Sequence, residues 1–260
     1  MHSCSHDLTL QELTPAADDL VGCMDSSFAI ARRLGFDAAM YDFAPVPTTP
    51  EGALMTPSVI EMRNMPGEMR DLWTRQGLYQ RDPVQVLAIK ASCPFFWSYR
   101  KEDESVLRPM LDDRYARVSA LLHDWRFSRG VTVPLHMKGN RFATMTGFWH
   151  DETFSDVGPS LGTTLMRFTY LAHAMNDRLS ALFGARELTP SGVDLSPREQ
   201  ECIALAAEGL SAKQIAARLV RSEPTIVAHL QSAARKLGGR NRAQTIARAA
   251  HFGYLGLDRD

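Results

Sequence analysis

Three helix-start signals follow one another between Leu195 and Leu257, and few arrangements of a chain satisfy them all. Ser196 is a natural N-cap, Pro197 fits the first turn, and Glu199, three residues after the cap, completes a capping box. Gly209 ends that helix and Ser211 caps the next. After Leu219 the break Val220-Arg221-Ser222 leads into Glu223-Pro224-Thr225-Ile226, with Ser222 as cap, and the run ends at Leu237. A short helix, a tight turn and a second helix with a polar outward face make a helix-turn-helix, a unit that lays its second helix in the DNA major groove.

Charge agrees with this reading. The 260-residue chain carries a formal net charge of −1, yet from Leu195 onward it holds ten Lys and Arg against six Asp and Glu. The tail is therefore basic and the front acidic, and only a basic surface suits phosphate contact.

Leu195-Ser-Pro-Arg-Glu, Glu208-Gly209-Leu210-Ser211, Ile215-Ala216, Thr225-Ile226, His229, Lys236-Leu237-Gly238 and Asn241-Arg242-Ala243 together resemble the LuxR-type DNA-binding domain. On the recognition helix, Ile226, Leu230, Ala233 and Leu237 recur at helical spacing and are expected in the small domain's core. That turns Thr225, Val227, Ala228, Gln231 and Arg235 outward. The resemblance places Val227, Ala228 and Gln231 at base-contacting positions. Val227, where the family frequently has Lys, offers an apolar contact such as a thymine methyl, and Gln231 suits an adenine edge. Lys213, Arg221, Ser222, Thr225 and His229 are expected at phosphates, where contacts position without specifying sequence. His229 reads equally well as half-buried structure. Glu199, Ile203 and Gly209 match family positions that matter, as scaffold or as polymerase-facing surface.

Ahead of the tail, helical periodicity covers about Ala16 to Leu34 and Gly35 stops it. Strands are expected at Asp37-Ala-Ala-Met-Tyr-Asp-Phe-Ala, at Val59-Ile-Glu-Met-Arg and at Phe95-Phe-Trp-Ser-Tyr. Helices are expected from Pro66 to near Gly77, from Pro83 to about Ala91 with Asp82 as cap, and as one long amphipathic run from Pro109 to Arg126. Val131 to Met137 and Phe142 to Trp149, joined by Lys138-Gly139-Asn140, read as a hairpin. A last helix starts at about Asp156 or Pro159 and ends at Phe183. This order implies an α+β N-terminal domain, an α-β-α sandwich on a mainly antiparallel sheet, over residues 1–186. A linker at 187–194 and an all-α domain at 195–260 follow. A phospho-receiver domain fits badly, because no Asp lies between Asp42 and Asp71.

Trp73, Asp82-Pro83, Trp97, Gly130 with Val131-Thr-Val-Pro, and Thr146 resemble the acyl-homoserine-lactone-binding domain of LuxR-type quorum sensors. Asp82 in an apolar cavity is an acceptor for a ligand N–H; read alone it is a helix cap. The Trp97 indole only donates and suits a ligand carbonyl; read alone it is core. Thr144 and Thr146 share one strand face, and Gly130 lets the backbone turn where a side chain would intrude. Met69 stands where lactone-binding relatives usually have a Trp that donates to the lactone carbonyl, and Trp73 where they usually have Tyr. Met cannot donate, so that hold is missing. The Met69 and Trp73 pair is similar to the LuxR solos of plant-associated bacteria, which respond to low-molecular-weight plant compounds. The resemblance implies a ligand-responsive transcriptional regulator whose signal is a plant-derived non-lactone compound. The alternatives are an acyl-homoserine-lactone receptor and a small-molecule-processing enzyme fused to a DNA-binding domain.

No window approaches about eighteen apolar residues, the N-terminus lacks the order of a secretion signal, and the four cysteines are scattered. A cytoplasmic protein is expected, without membrane association, disulfide framework or metal site. No nucleophile elbow, phosphate-cradling loop or catalytic set stands out, so no enzyme activity is expected, and no cofactor beyond the small-molecule signal. One helix-turn-helix makes few contacts, so a homodimer on palindromic double-stranded promoter DNA is expected, with RNA polymerase a further candidate partner.

Overall fold

A computed structural model describes residues 8–16, 18–154 and 161–255. The chain divides into two compact units, Met1–Pro47 with Thr56–Leu188, and Thr48–Met55 with Thr189–Asp260. Thr48–Met55, which the sequence leaves inside the first domain, thus groups with the second unit.

In the first unit, β1 (Ala38–Ala44), β2 (Val59–Arg63), β3 (Phe95–Ser98), β4 (Arg129–His136) and β5 (Phe142–Trp149) form one sheet. Its order is β2-β1-β5-β4-β3 and every neighbouring pair is antiparallel. Successive strand residues point to opposite faces. Ala39, Tyr41, Phe43, Val131, Val133, Ala143 and Met145 pack with α1 (Leu20–Arg33) and α5 (Leu161–Leu182) on one side. Ala38, Met40, Trp97 and Phe148 pack on the other with α2 (Met69–Thr74), α3 (Pro83–Ala88) and α4 (Ala116–Asp124). Covered on both faces, β1 is buried at every position. The result is the expected α-β-α sandwich. At the β4–β5 turn, Gly139 and Asn140 take φ of 71° and 59°, a conformation those two residue types tolerate best.

The long helix expected from Pro109 to Arg126 is not there. Short 3-10 turns at Arg108–Met110 and Asp113–Tyr115 precede α4, with Leu111 non-helical between them. Asp112 accepts from the Arg114 N–H at 2.9 Å, a local bond that competes with helix continuation. The helix expected from Pro66 is also shorter, beginning at Met69 and ending at Thr74. The expected start of the last helix near Asp156 or Pro159 lies outside the described residues.

In the second unit, α6 (Pro197–Ala207), α7 (Ala212–Leu219), α8 (Glu223–Leu237) and α9 (Arg242–His251) enclose Cys202, Leu205, Ile215 and Ile226. Capping boxes form at Ser196 with Glu199 and at Ser211 with Gln214. Ser222 accepts from the Thr225 N–H, and Gly238, at φ 70°, closes α8 in the left-handed region.

Candidate functional site

Alternate positions of the central strands place four buried polar residues on the face beneath α2, α3 and α4: Asp42, Thr132, Thr144 and Thr146. Register sets Asp42 opposite Thr144 and Thr132 opposite Thr146. The Thr144 hydroxyl donates to Asp42, and the two other threonine oxygens lie 2.9 Å apart. Above them, Asp82 N-caps α3, accepting from the Val84 N–H at 2.9 Å, the Trp73 indole at 3.1 Å and the Tyr99 hydroxyl at 3.0 Å. The cap reading holds, and the same carboxylate lines a residual space. Tyr79 donates to Asp42 at 2.8 Å, and the Gln85 amide nitrogen lies 3.4 Å from the same carboxylate.

Met69, Trp73, Asp82, Trp97 and Thr146 meet around a residual space of about 10 Å³. That is room for about one water, so any larger guest enters by moving side chains. Thr144 sits two residues further along β5, at Asp42. Two expectations need correcting. The Trp97 N–H is engaged by Thr132 Oγ1 at 2.9 Å, so it is fixed within the sheet rather than held ready for a ligand carbonyl. Gly130 makes no turn: it lies within β4 opposite Trp97, and a Cβ there would come 2.4 Å from Trp97 Cζ2 and 2.7 Å from the Gly147 carbonyl oxygen. It clears the bed on which the indole rests.

Asp42, Tyr79, Gln85, Tyr99 and Thr132 belong to the same constellation and escaped the sequence reading. The sequence does carry signals for two of them. Asp42 is a lone carboxylate in an apolar strand, and Gln85 follows Asp82 by three residues on a helix, hence on one face.

Burial lifts the Asp42 carboxyl to about 7 despite hydrogen bonds from Thr144 and Tyr79, with nearby Asp82 adding to the rise. Burial likewise lifts Asp82 to about 6 against its bonds from Val84, Trp73 and Tyr99. Burial, with the neighbouring carboxylates, holds the Tyr79 and Tyr99 hydroxyls far above their ordinary range.

On α8, Ile226, Ala233 and Leu237 are buried and Leu230 is partly so, as the periodicity requires. Ala228, Gln231 and Arg235 are exposed, as are Lys213, Arg221 and Ser222 near the turn, while Thr225, Val227 and His229 are half-buried. Val227 and Gln231 also border a groove with Ile203 of α6 and Ile246 of α9. Glu199 is 5% exposed and accepts from Lys236 Nζ at 2.7 Å, joining the first turn of α6 to the last turn of α8. Burial pushes its carboxyl up, but hydrogen bonds from Lys236, Ser232 and Ser196 prevail and hold it at about 2. Of its two readings, scaffold is the one this geometry supports.

Residues 21–179 match the autoinducer binding domain, and residues 193–249 match the bacterial regulatory proteins, luxR family. The transcriptional activator protein VanR of Vibrio anguillarum is 26% identical over 246 residues, 94% of each chain. The transcriptional activator protein BjaR1 of Bradyrhizobium diazoefficiens is 28% identical over 239 residues, 89% of this chain and 87% of that one. The fold is similar to that of SdiA from Escherichia coli, with a TM-score of 0.54 and 18% identity over 92% of this chain and 93% of that one. With an autoinducer-binding domain over most of its length and a DNA-binding helix-turn-helix behind it, the chain belongs to the LuxR family of quorum-sensing-type, ligand-responsive transcriptional regulators.

Proposed function

We propose that the sensor unit answers to a plant-derived, non-lactone compound held beside Asp82. In this reading the signal controls dimeric binding of the tail to a palindromic promoter element in the cytoplasm. The observation that carries the ligand half is Met69. It lines the residual space with a thioether, while the nearby indoles of Trp73 and Trp97 are engaged by Asp82 and Thr132. A lactone head needs a donor to its ring carbonyl, and Met supplies none. The second reading, an acyl-homoserine-lactone receptor, draws on Asp82, which keeps an acceptor for an amide N–H.

The test is thermal stabilisation across an acyl-homoserine-lactone series, on native protein and on Met69→Trp with Trp73→Tyr. Native protein is expected to respond weakly at every chain length. The double variant returns an indole N–H and a phenol to the wall, each worth about 0.5–1.5 kcal/mol net, so lactone affinity rises by up to about a hundredfold. The added indole volume costs about 1–3 kcal/mol if the wall does not yield, so folding is followed in parallel by circular dichroism. Strong stabilisation of native protein by a lactone ends the plant-compound reading, whatever the variant does.

For the DNA half, Lys213, Arg221, Ser222, Thr225 and His229 grip phosphates, while Val227, Ala228 and Gln231 read bases, with Arg235 beside them. Half-site centres should lie about 10 bp, roughly one helical turn, apart. Gln231→Ala is expected to relax base preference at one position per half-site by about 1–3 kcal/mol. Lys213→Ala should weaken all sequences alike and flatten the salt dependence. Binding-site selection from random DNA checks both, and recovery of sites without two-fold symmetry sinks the dimer.

A further inference from the structure

We infer that Gln85, with Asp42 behind it, forms a second acceptor subsite next to Asp82. The signal would then carry two hydrogen-bond donors at one end and an apolar remainder. This deepens the reading above and rests on its placement of the ligand beside Asp82. Gln85 is fully buried, and its Oε1 has no hydrogen-bond partner. Among the described residues one other buried side-chain nitrogen or oxygen shares that condition, Trp149 Nε1, and it lies in the core on the opposite face of the sheet. An unpaired buried acceptor is unfavourable and uncommon in folded proteins. The amide cannot relieve it by turning over. Its nitrogen lies 3.4 Å from Asp42 Oδ2 and 3.5 Å from Thr144 Oγ1, so whenever Asp42 is ionised a flip sets oxygen against a carboxylate.

Gln85 and Asp82 both line the residual space, three residues apart on one face of α3. The indole and phenol donors around that space are already taken. Trp73 and Tyr99 donate to Asp82, Trp97 donates to Thr132, and Tyr79 donates to Asp42. No Lys, Arg or His lines the space among the described residues. What stays open is acceptor capacity, on Gln85 Oε1 and on the remaining lone pairs of the carboxylates. Such a wall selects guests by their N–H and O–H groups and rejects analogues that lack one, because the analogue leaves the acceptor buried and unpaired.

The experiment compares two near-isosteric probes on the full-length protein by calorimetric titration. N-octanoylethanolamine carries an amide N–H and a hydroxyl; N-propyloctanamide keeps the N–H and replaces the hydroxyl by methyl. Native protein is expected to prefer the first by about tenfold. Gln85→Met removes the acceptor at similar length, and the preference should fall to about one. Gln85→Leu, a second variant without the acceptor, should lose it likewise. Equal binding of the two probes to native protein, binding of neither, or an undiminished preference in Gln85→Met overturns the inference. Should Gln85→Met fail to fold, Gln85→Leu carries the comparison. Octanoyl homoserine lactone is titrated alongside. Tight lactone binding ends the non-lactone reading, whereas the ratio between the two amides decides the role of Gln85 separately.

Discussion

Gly130→Ala is expected to destabilise the sensor unit by about 3 kcal/mol or more, a large effect for one methyl group. The added Cβ would meet the Trp97 ring at 2.4 Å and the Gly147 carbonyl oxygen at 2.7 Å, and the second of these is backbone in the neighbouring strand. Trp97 is itself fully enclosed, in edge contact with Tyr99 and Phe148 at centroid distances of 5.6 and 5.5 Å. Moving the indole also breaks its 2.9 Å bond to Thr132, leaving a buried N–H unpaired. At about 2–4 °C per kcal/mol for a unit of this size, the midpoint should drop by about 10 °C. Differential scanning calorimetry on the full chain measures it, with the transition of the tail unit as internal reference. A loss under about 1 kcal/mol would mean that the indole is not seated on the glycine.

Asp82→Asn tests the carboxylate at the centre of the constellation. Its Oδ1 accepts from Val84 and Tyr99, so the amide nitrogen must take the place of Oδ2 and face the Trp73 N–H, donor against donor. A charge-assisted bond to the ligand, worth about 1.5–3 kcal/mol, is lost as well, so affinity should fall about ten- to a hundredfold. The ligand for that titration is the compound recovered from plant extract by co-purification and identified by mass spectrometry. Unchanged affinity removes Asp82 from the site. DNA binding by the tail is expected to stay as it was.

The same variant has a signature in pH. Folded values of about 6 for Asp82 and about 7 for Asp42 stand above the roughly 3.9 of an unfolded aspartate. The folded state therefore keeps protons that the unfolded chain has released. The stability these two groups provide is fully present below about pH 4 and is lost as pH rises through 6 and then 7. The sensor-unit transition should fall between about pH 4 and pH 7 in native protein and fall less steeply between about pH 4 and pH 6 in Asp82→Asn. A slope identical in the two proteins contradicts the raised value at Asp82.

Local signals in the chain proved readable where the interaction itself is local. The caps at Ser196, Ser211, Ser222 and Asp82 each bond to backbone two or three residues away, and spacing alone reveals them. The break at Asp112 is also local, but it was masked by an apolar pattern that continues across it through Leu111 and Tyr115. The meeting of Asp42 with Gln85 lay beyond reach for a different reason. They meet because β1 and β5 pair in one particular register beneath α3, and no sequence window spans 43 residues of separation. At Gly130 the expected turn gives way to a sheet position, since what a side chain would meet there is Trp97 on the adjacent strand.

The pleat of the sheet gives this receptor two independent alphabets written on one text. Met40, Asp42, Thr132, Thr144 and Thr146 spell the face beneath α2, α3 and α4, while the letters between them, Tyr41, Val133 and Met145, spell the packing against α1 and α5. Substitution at the first set changes one face without rewriting the second. Insertion of a single residue in β5 does the reverse, because beyond that point every letter passes to the other face at once. Descendants of such a chain can therefore change one face by point replacement, whereas length changes within these strands are barred to them.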